Sequence, residues 1–182
     1  MHYQTFDAFD IETDNLYHGV TRLWCSSHID VDSGCVTEYR PECYQSVGEH
    51  LLRCKRDNVV VVGHNIVDFD LPAIEKVLGV DLDGIAFIDT LVISRALEPD
   101  LEGGHSLKMW GKRLGILKGT YGEDEGEAAW DKFSEDMMEY CTQDVKVTVA
   151  LVKHLLEDLA GIPRNEWYKV VQVYNSPLKG KR

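Results

Sequence analysis

Apolar residues recur along the chain with two different spacings, which predict a mixture of strands and helices. Alternating or continuous apolar runs typical of strands occupy residues 3–11, 21–29, 35–39, 59–62 and 86–88. Helical spacing covers residues 43–55, 69–78, 89–97, 107–114 and 134–159. Three early strands followed by alternating helices and strands predict an α/β fold in which helices flank a mixed five-stranded sheet.

Capping residues set the expected limits of the last long helix. Ser134 is a suitable N-cap, and Gly161 ends the helical pattern. We therefore expect one domain over residues 1–160 and a C-terminal extension or arm over residues 161–182. Within that extension, residues 167–174 have the pattern of either a short strand or an arm.

Length and composition favour a single globular domain. The chain has 182 residues, of which 44% are hydrophobic, enough for a core and too many for a disordered protein. It contains no run of about 18 apolar residues, so no association with a membrane is expected. The first four residues lack the basic and apolar regions of a signal peptide, and a cytoplasmic protein is expected.

The formal net charge of −12 argues against a protein that coats DNA through a basic face. It does not exclude a nuclease, because carboxylates that bind cations add negative charge that the cations locally return. The most acidic segment, residues 122–127, is interpreted as a solvated loop.

The cysteine pattern favours reduced thiols. No Cys-x-x-Cys pair occurs, so neither a zinc site nor a disulfide framework is expected. The prediction is a set of buried or half-buried thiols at five positions: Cys25, Cys35, Cys43, Cys54 and Cys141.

Asp10 and Glu12 are the first candidate site residues, at the end of the first predicted strand. Because a strand alternates sides, both carboxylates leave the face that carries Phe6 and Ala8. Two neighbouring carboxylates repel each other unless a cation bridges them or one of them is protonated. Taken alone, the pair is better explained by two solvated carboxylates at a strand end.

Asp70 is the second candidate, between a continuous apolar strand and a helix. Its apolar neighbours Phe69 and Leu71 indicate that it points inward more readily than Asp68 does. A plain N-cap role is the alternative. Asn65, in the same loop, has the chemistry to bond the loop backbone, a neighbouring carboxylate or a substrate.

Tyr140 and Asp144 lie four positions apart in the last helix and therefore share one of its faces. The same face continues through core-type residues at 147, 151 and 155. An aspartate among core residues is costly unless something compensates it, and a metal ion is one such compensation. A hydrogen bond to nearby backbone is the alternative for Asp144, and a core aromatic role is the alternative for Tyr140.

These segments together offer four carboxylates of the types Asp, Glu, Asp and Asp, and require no Cys or His ligand. Oxygen donors of this kind suit Mg²⁺ or Mn²⁺ better than Zn²⁺. Two such ions about 3.5–4 Å apart can clamp the attacking and leaving oxygens of an in-line phosphoryl displacement.

The motifs Asp10-Ile-Glu12-Thr13, Asn65 with Asp70, and Tyr140-x-x-x-Asp144 resemble the three exonuclease motifs of the DEDD superfamily, in its tyrosine-bearing branch. Further segments are similar to the proofreading domain of bacteriophage family A DNA polymerases: His64–Ala73, Ile88–Arg95, His105–Gly115 and Lys118–Tyr121. The resemblance covers roughly residues 6–160 and is specific, because order and spacing agree throughout.

The resemblance implies an RNase H-like three-layer fold and removal of nucleotides from a 3′ end with two divalent cations, Mg²⁺ or Mn²⁺. It implies four metal ligands: Asp10, Glu12, Asp70 and Asp144. Tyr140 is implied to orient the attacking water. Three residues are implied to contact the terminal nucleotide, Leu16 as an apolar wedge against a base: Thr13, Leu16 and Asn65.

The expected substrate is the 3′ end of single-stranded or frayed DNA. Too few residues follow Leu159 for a polymerase, so we expect a free-standing exonuclease or a proofreading subunit that joins a separate DNA polymerase. A phage-encoded protein would act in the host cytoplasm. Two alternatives stay open: a nucleic-acid-binding or assembly subunit of a replication complex, and an exoribonuclease that trims RNA, because the choice of sugar rests on room for the 2′-OH.

Overall fold

A mixed six-stranded sheet forms the centre of the computed structural model, which describes residues 5–116, 121 and 129–179. Its strands are β1 (Phe6–Thr13), β2 (Leu23–Asp30), β3 (Val36–Tyr39), β4 (Val60–Gly63), β5 (Ala86–Asp89) and β6 (Gln172–Val173). Their spatial order is β3-β2-β1-β4-β5-β6, with β4 parallel to both β1 and β5 and the other neighbours antiparallel. The predicted mixed sheet is confirmed, with one strand more than expected.

The α-helices of the described residues lie close to the predicted ranges: α1 (Gln45–Asp57), α2 (Asp70–Leu78), α3 (Thr90–Leu97), α4 (Leu107–Leu114) and α5 (Glu135–Lys153). A π-helix, His154–Leu159, continues α5, and short 3-10 helices occupy Pro41–Cys43 and Arg164–Val170. The predicted N-cap of α5 is confirmed, because the Ser134 hydroxyl accepts a hydrogen bond from the Met137 amide at 3.1 Å.

The helices form layers on both faces of the sheet. The face of β1 that carries Phe9 and Ile11 shares a core with α1 and α2. The opposite face, with Phe6 and Ala8, packs against α5. On its outer side α5 packs against α4 through Leu107 and Trp110 and their neighbours. The predicted three-layer arrangement and the predicted alternation of β1 are therefore confirmed.

Residues 164–178 pack against this domain. The 3-10 helix buries Trp167, whose ring meets Phe6 edge-on at 5.2 Å between centroids. Strand β6 then adds to the sheet beside β5. Tyr174 is buried, and its hydroxyl donates to Glu75 at 3.2 Å. The segment 167–174 thus contains a helical turn and a two-residue strand.

The cysteines differ partly from expectation. All five are free thiols, with Cys25, Cys54 and Cys141 buried as predicted, but Cys35 and Cys43 are exposed. No helix among the described residues has the length and apolar character needed to cross a membrane.

Several sequence-based predictions fall outside the described residues. These are the first residues of strand 3–11, the acidic loop at 122–127, the Lys118-Gly119 part of the fourth similar segment and the last three residues of the C-terminal extension.

Candidate active site

The candidate residues collect at one edge of the sheet because of its topology. Strands β1, β4 and β5 are parallel, so their carboxyl ends meet at that edge. Asp10 and Glu12 lie at the end of β1, the loop with Asn65 and Asp70 follows β4, and Asp89 ends β5.

Asp10 and Glu12 point to the side of the sheet that α5 covers. Glu12 is buried and Asp10 half-buried. Their carboxylate oxygens and the sulfur of Cys141, in α5, all lie within 4.8 Å of one another. The pairing with β2 shifts register between Glu12 and Thr13, an irregularity of the kind that re-aims side chains beside active sites. The grouped acidic residues form a site that can hold a metal ion.

Cys141 was not predicted at this site. Its thiol donates to the backbone carbonyl of Asp10 at 3.5 Å. Burial, a hydrogen bond with Cys25 and the negative charges of Asp10 and Glu12 raise its pKa well above the ordinary value, so it remains a neutral thiol. Its position three residues before Asp144 on a helix could have indicated the site, but its residue type suggested only core packing.

Asp70 is 3% exposed, and one of its carboxylate oxygens, Oδ1, accepts no hydrogen bond from the described residues. The pKa of Asp70 is raised to about 7, chiefly by burial and in smaller part by the charge of Asp89, while hydrogen bonds from the backbone of Asp70 and Ile11 offset some of the rise. The contact with Ile11 places this carboxyl against β1 between Asp10 and Glu12. Asp70 is not the N-cap of its helix, since Phe69 occupies that position.

The predicted face of α5 is confirmed. Asp144 is 4% exposed, and the core-type residues at 147, 151 and 155 are fully buried. Tyr140, one turn before Asp144, is half-buried, with its ring 5.8 Å from that of Tyr121 and 6.2 Å from that of Trp130. These aromatic neighbours restrain the orientation of the Tyr140 ring.

A cleft of about 600 Å³ opens beside the carboxylates. Its walls include one of the carboxylates, two of the predicted substrate residues and two aromatic rings: Glu12, Thr13, Leu16, Phe69 and Trp130. Leu16 is 77% exposed at the tip of a loop. Asp14 holds the base of that loop by accepting hydrogen bonds from the amides of Thr21 and Arg22 at 3.0 Å each.

Asn65, the third predicted substrate residue, lies in the loop after β4 and is not among the residues that line this cleft. Its backbone is left-handed, with φ of 68°, a conformation that asparagine tolerates better than most residues. The loop also needs Gly63, because a Cβ there would lie 1.9 Å from the Ile66 side chain and 3.2 Å from the Phe9 carbonyl oxygen. The tight approach fixes where the chain leaves β4 and enters α2.

Asp89, at the end of β5, anchors the same loop through hydrogen bonds to backbone amides. Its buried carboxylate accepts hydrogen bonds from the amides of Asn65 at 2.9 Å, Val67 at 3.3 Å and Leu91 at 2.9 Å. The sequence marked Asp89 only as part of a similar segment, because these contacts join residues more than 20 positions apart. Asp89 is therefore a positioning residue for the loop that leads to Asp70.

We expect Asp89→Ala to lower the free energy of unfolding by about 2–4 kcal/mol, because buried amides left without an acceptor cost about 1–3 kcal/mol each. Urea unfolding of the variant and the native chain measures the difference. Asp68→Ala is the matched control, since Asp68 is exposed in the same loop. Equal losses in the two variants would contradict the positioning role.

Comparison with known proteins identifies the protein family of this chain. Residues 6–160 match the model of the 3′–5′ exonuclease family. The chain belongs to that family. The exonuclease is 33% identical, over 189 aligned positions, to the DNA-directed DNA polymerase of Enterobacteria phage T3, and 32% identical to that of Escherichia phage T7. Each alignment covers 85% of the chain and 27% of the polymerase, so the chain spans only a minor part of these relatives.

Solved structures share the fold of the exonuclease at lower identity. Brucella melitensis NrnC with bound Mg²⁺ has a TM-score of 0.64 and 19% identity, over 88% of this chain and 76% of NrnC. E. coli Exonuclease I in complex with an oligonucleotide has a TM-score of 0.58 and 16% identity, over 91% of this chain and 43% of that enzyme. The predicted RNase H-like fold and the predicted class, a hydrolytic 3′–5′ exonuclease, are confirmed.

Proposed function

We propose that this chain removes nucleotides from the 3′ end of single-stranded or frayed DNA by a two-metal mechanism. The observation that carries the proposal is the close pair of Asp10 and Glu12 at the end of β1, beside an open cleft, with two buried carboxylates, Asp70 and Asp144, on the elements that follow β4 and cover β1. Two carboxylates as close as Asp10 and Glu12 repel each other unless a cation compensates them.

The donor set fits two divalent cations. Four oxygen-donor side chains are proposed as ligands: Asp10, Glu12, Asp70 and Asp144. The buried Oδ1 of Asp70, which accepts no hydrogen bond from the described residues, has a vacant acceptor position that a cation would fill. Carboxylates favour Mg²⁺ or Mn²⁺, and NrnC, which shares the fold, is described with bound Mg²⁺. Bound cations would supply an activated water and stabilise the charge that develops on the phosphate.

Tyr140 is proposed to orient the attacking water. The rings of Tyr121 and Trp130 restrain the Tyr140 ring, so its hydroxyl is presented at a fixed position one helical turn from Asp144. A hydroxyl held in this way accepts or donates a hydrogen bond without an entropic cost at the moment of reaction.

The cleft is proposed to bind the terminal nucleotides. The rings of Phe69 and Trp130 give surfaces on which bases can stack without regard to sequence. Leu16, exposed at the rim, is proposed to wedge against a base, while Thr13 and Asn65 contact the terminal nucleotide. The DNA polymerase relatives and the oligonucleotide complex of Exonuclease I support DNA as the substrate.

The setting proposed is proofreading in DNA replication, in the cytoplasm, with the chain acting alone or beside a separate DNA polymerase. Residues 1–160 are proposed as the exonuclease domain and residues 161–182 as an extension, although Trp167 and Tyr174 of that extension lie in the core. An assembly subunit would also share this fold, but it would not need the carboxylates.

Digestion of matched DNA and RNA oligonucleotides tests the proposal. With Mg²⁺ or Mn²⁺ we expect 5′-labelled DNA to shorten in single-nucleotide steps from its 3′ end, and EDTA to stop the reaction. An oligonucleotide with a blocked 3′ end is the matched control and stays intact. If RNA is shortened faster than DNA, RNA is the substrate and the DNA proposal is wrong. If neither oligonucleotide is shortened, the result favours the assembly subunit.

A further inference from the structure

A second cluster of metal-ligating side chains lies across the sheet from the carboxylate site. Because β1 alternates, Asp7 points to the face of Phe9, opposite to that of Asp10. His28 of β2 stacks on Phe9 at 5.3 Å between ring centroids and so occupies the same face. Helix α1 covers this face and adds His50 and, one turn later, Cys54, which completes a cluster of one Asp, two His and one Cys.

The donor atoms of this cluster are close together. Asp7 Oδ2 lies 2.7 Å from His28 Nδ1 and 3.0 Å from His50 Nε2. Ligand atoms of Asp7, His50 and Cys54 all lie within 4.8 Å of one another. Asp7, His28 and Cys54 are buried, and His50 is half-buried.

His28 holds the Asp7 carboxylate in place from within the core. Its Nδ1 lies 2.7 Å from Asp7 Oδ2, which is a hydrogen-bond distance and too short for a metal ion between the two atoms. Its Nε2 lies 3.1 Å from the Ser26 hydroxyl oxygen. The donor atoms that lie within 4.8 Å of one another are those of Asp7, His50 and Cys54, so these three residues are the candidate metal ligands.

His50 is already oriented as a ligand. Its Nδ1 lies 2.9 Å from the hydroxyl of Tyr39. In metal sites, ligating histidines almost always have such a partner on the second ring nitrogen, which fixes the tautomer and the ring orientation. Here this arrangement leaves Nε2 of His50 facing Asp7 at 3.0 Å.

We propose that Asp7, His50 and Cys54 bind one zinc ion, with His28 of β2 holding the Asp7 carboxylate in place. Nitrogen and sulfur donors favour zinc and distinguish this site from the carboxylate site, which suits Mg²⁺. Binding forms a zinc–sulfur bond and releases the Cys54 thiol proton to solvent.

The surroundings are consistent with this role. Burial and the charge of Asp7 raise the pKa of the Cys54 thiol to about 12, so without the ion the thiol stays protonated. A cavity of about 280 Å³ adjoins the cluster, with Arg53 and Asp57 at its walls, and gives an ion a route from solvent. The bound ion would tie α1 to β1, and β1 is the strand that presents Asp10 and Glu12.

Titration of the full chain with Co²⁺, in excess Mg²⁺ to occupy the carboxylate site, tests the proposal independently of nuclease activity. We expect a sulfur-to-cobalt charge-transfer band that saturates at one equivalent and is removed by Zn²⁺. Cys54→Ser should abolish the band and weaken Zn²⁺ binding by at least about 100-fold, since even loss of an outer-shell partner costs about 10- to 100-fold.

Cys141→Ser is the matched control, because Cys141 is the buried thiol beside Asp10 and Glu12. It should keep the band. No band in the native chain, a band that survives Cys54→Ser, or a band lost in Cys141→Ser would each overturn the proposal. His50→Gln, at a half-buried position, provides the same test if Cys54→Ser does not fold by circular dichroism.

Discussion

Asp144→Asn is expected to reduce exonuclease turnover by about 10²–10³-fold, since removal of a single group that stabilises transition-state charge costs about that much. The amide keeps the shape of the buried carboxyl but cannot supply its negative charge to a cation. Asp10→Asn, at the end of β1, should have the same effect. Single-turnover digestion of a 5′-labelled oligonucleotide measures the loss.

Glu139→Gln is the matched control for Asp144→Asn. Glu139 lies on the exposed side of α5, so this variant makes the same change in charge on the same helix without touching the site. Circular dichroism shows whether each variant folds. Activity retained by folded Asp144→Asn, or lost equally in Glu139→Gln, would show that the buried position of Asp144 is not what the reaction needs.

Sequence analysis identified those candidate site residues whose side-chain direction follows from the periodicity of a single strand or helix. Strand alternation put Asp10 and Glu12 on the face of Ala8, and helical spacing put Tyr140 and Asp144 on one side of α5. Both are properties of short stretches of chain. The meeting of Asp10 and Glu12 with the loop that leads to Asp70, at one edge of the sheet, follows from the parallel pairing of β1, β4 and β5, which the strand–helix–strand order of the sequence already implied. Tyr140 and Asp144 are brought to the same side by the packing of α5 against the face of β1 that carries Ala8.

What sequence analysis missed depends on contacts between distant residues. The cluster of Asp7, His28, His50 and Cys54 joins two strands and a helix, and no Cys-x-x-Cys or His-x-x-x-His spacing marks it. A buried Asp and His on strands look like ordinary core positions until their partners are known. The absence of a short ligand motif from the sequence therefore does not bear on the proposed site, whose residues are brought together only by the fold.

The sixth strand was missed for a related reason. Two residues, Gln172 and Val173, are too few to show strand alternation. Their pairing with β5 is fixed by packing on either side of them, where Trp167 and Tyr174 are buried against residues far away in the chain. Short edge strands of this kind are defined by tertiary contacts and not by their own composition.

Asp70→Asn is expected to stabilise the metal-free protein at pH above about 7. Because the pKa of Asp70 is raised from 3.8 to about 7 in the folded chain, the fold holds a proton that the unfolded chain releases near pH 4. The stability of the native chain therefore falls as pH rises from about 4 to 7, by about 4 kcal/mol in all at 1.36 kcal/mol per pKa unit. The amide never ionises, so the variant avoids that loss.

Urea unfolding in EDTA, at several pH values between about 4 and 8, measures the effect as the difference between the variant and the native chain. The difference should be near zero at the low end and rise with pH, while contributions from groups common to both proteins, such as His28, cancel. Asp68→Asn, an exposed carboxyl two residues away, should give a difference that does not change with pH.

Divalent cations should reverse the order of stability in the same experiment. A cation bound at Asp70 compensates the buried charge, so Mg²⁺ or Mn²⁺ should stabilise the native chain at high pH by mass action, and stabilise Asp70→Asn much less. A difference that is independent of pH would show that Asp70 is ionised at no unusual cost. Equal stabilisation of both proteins by the cation would show that Asp70 is not one of its ligands. The two results together would distinguish a buried carboxyl group whose negative charge a bound cation compensates from one that is buried without binding a cation.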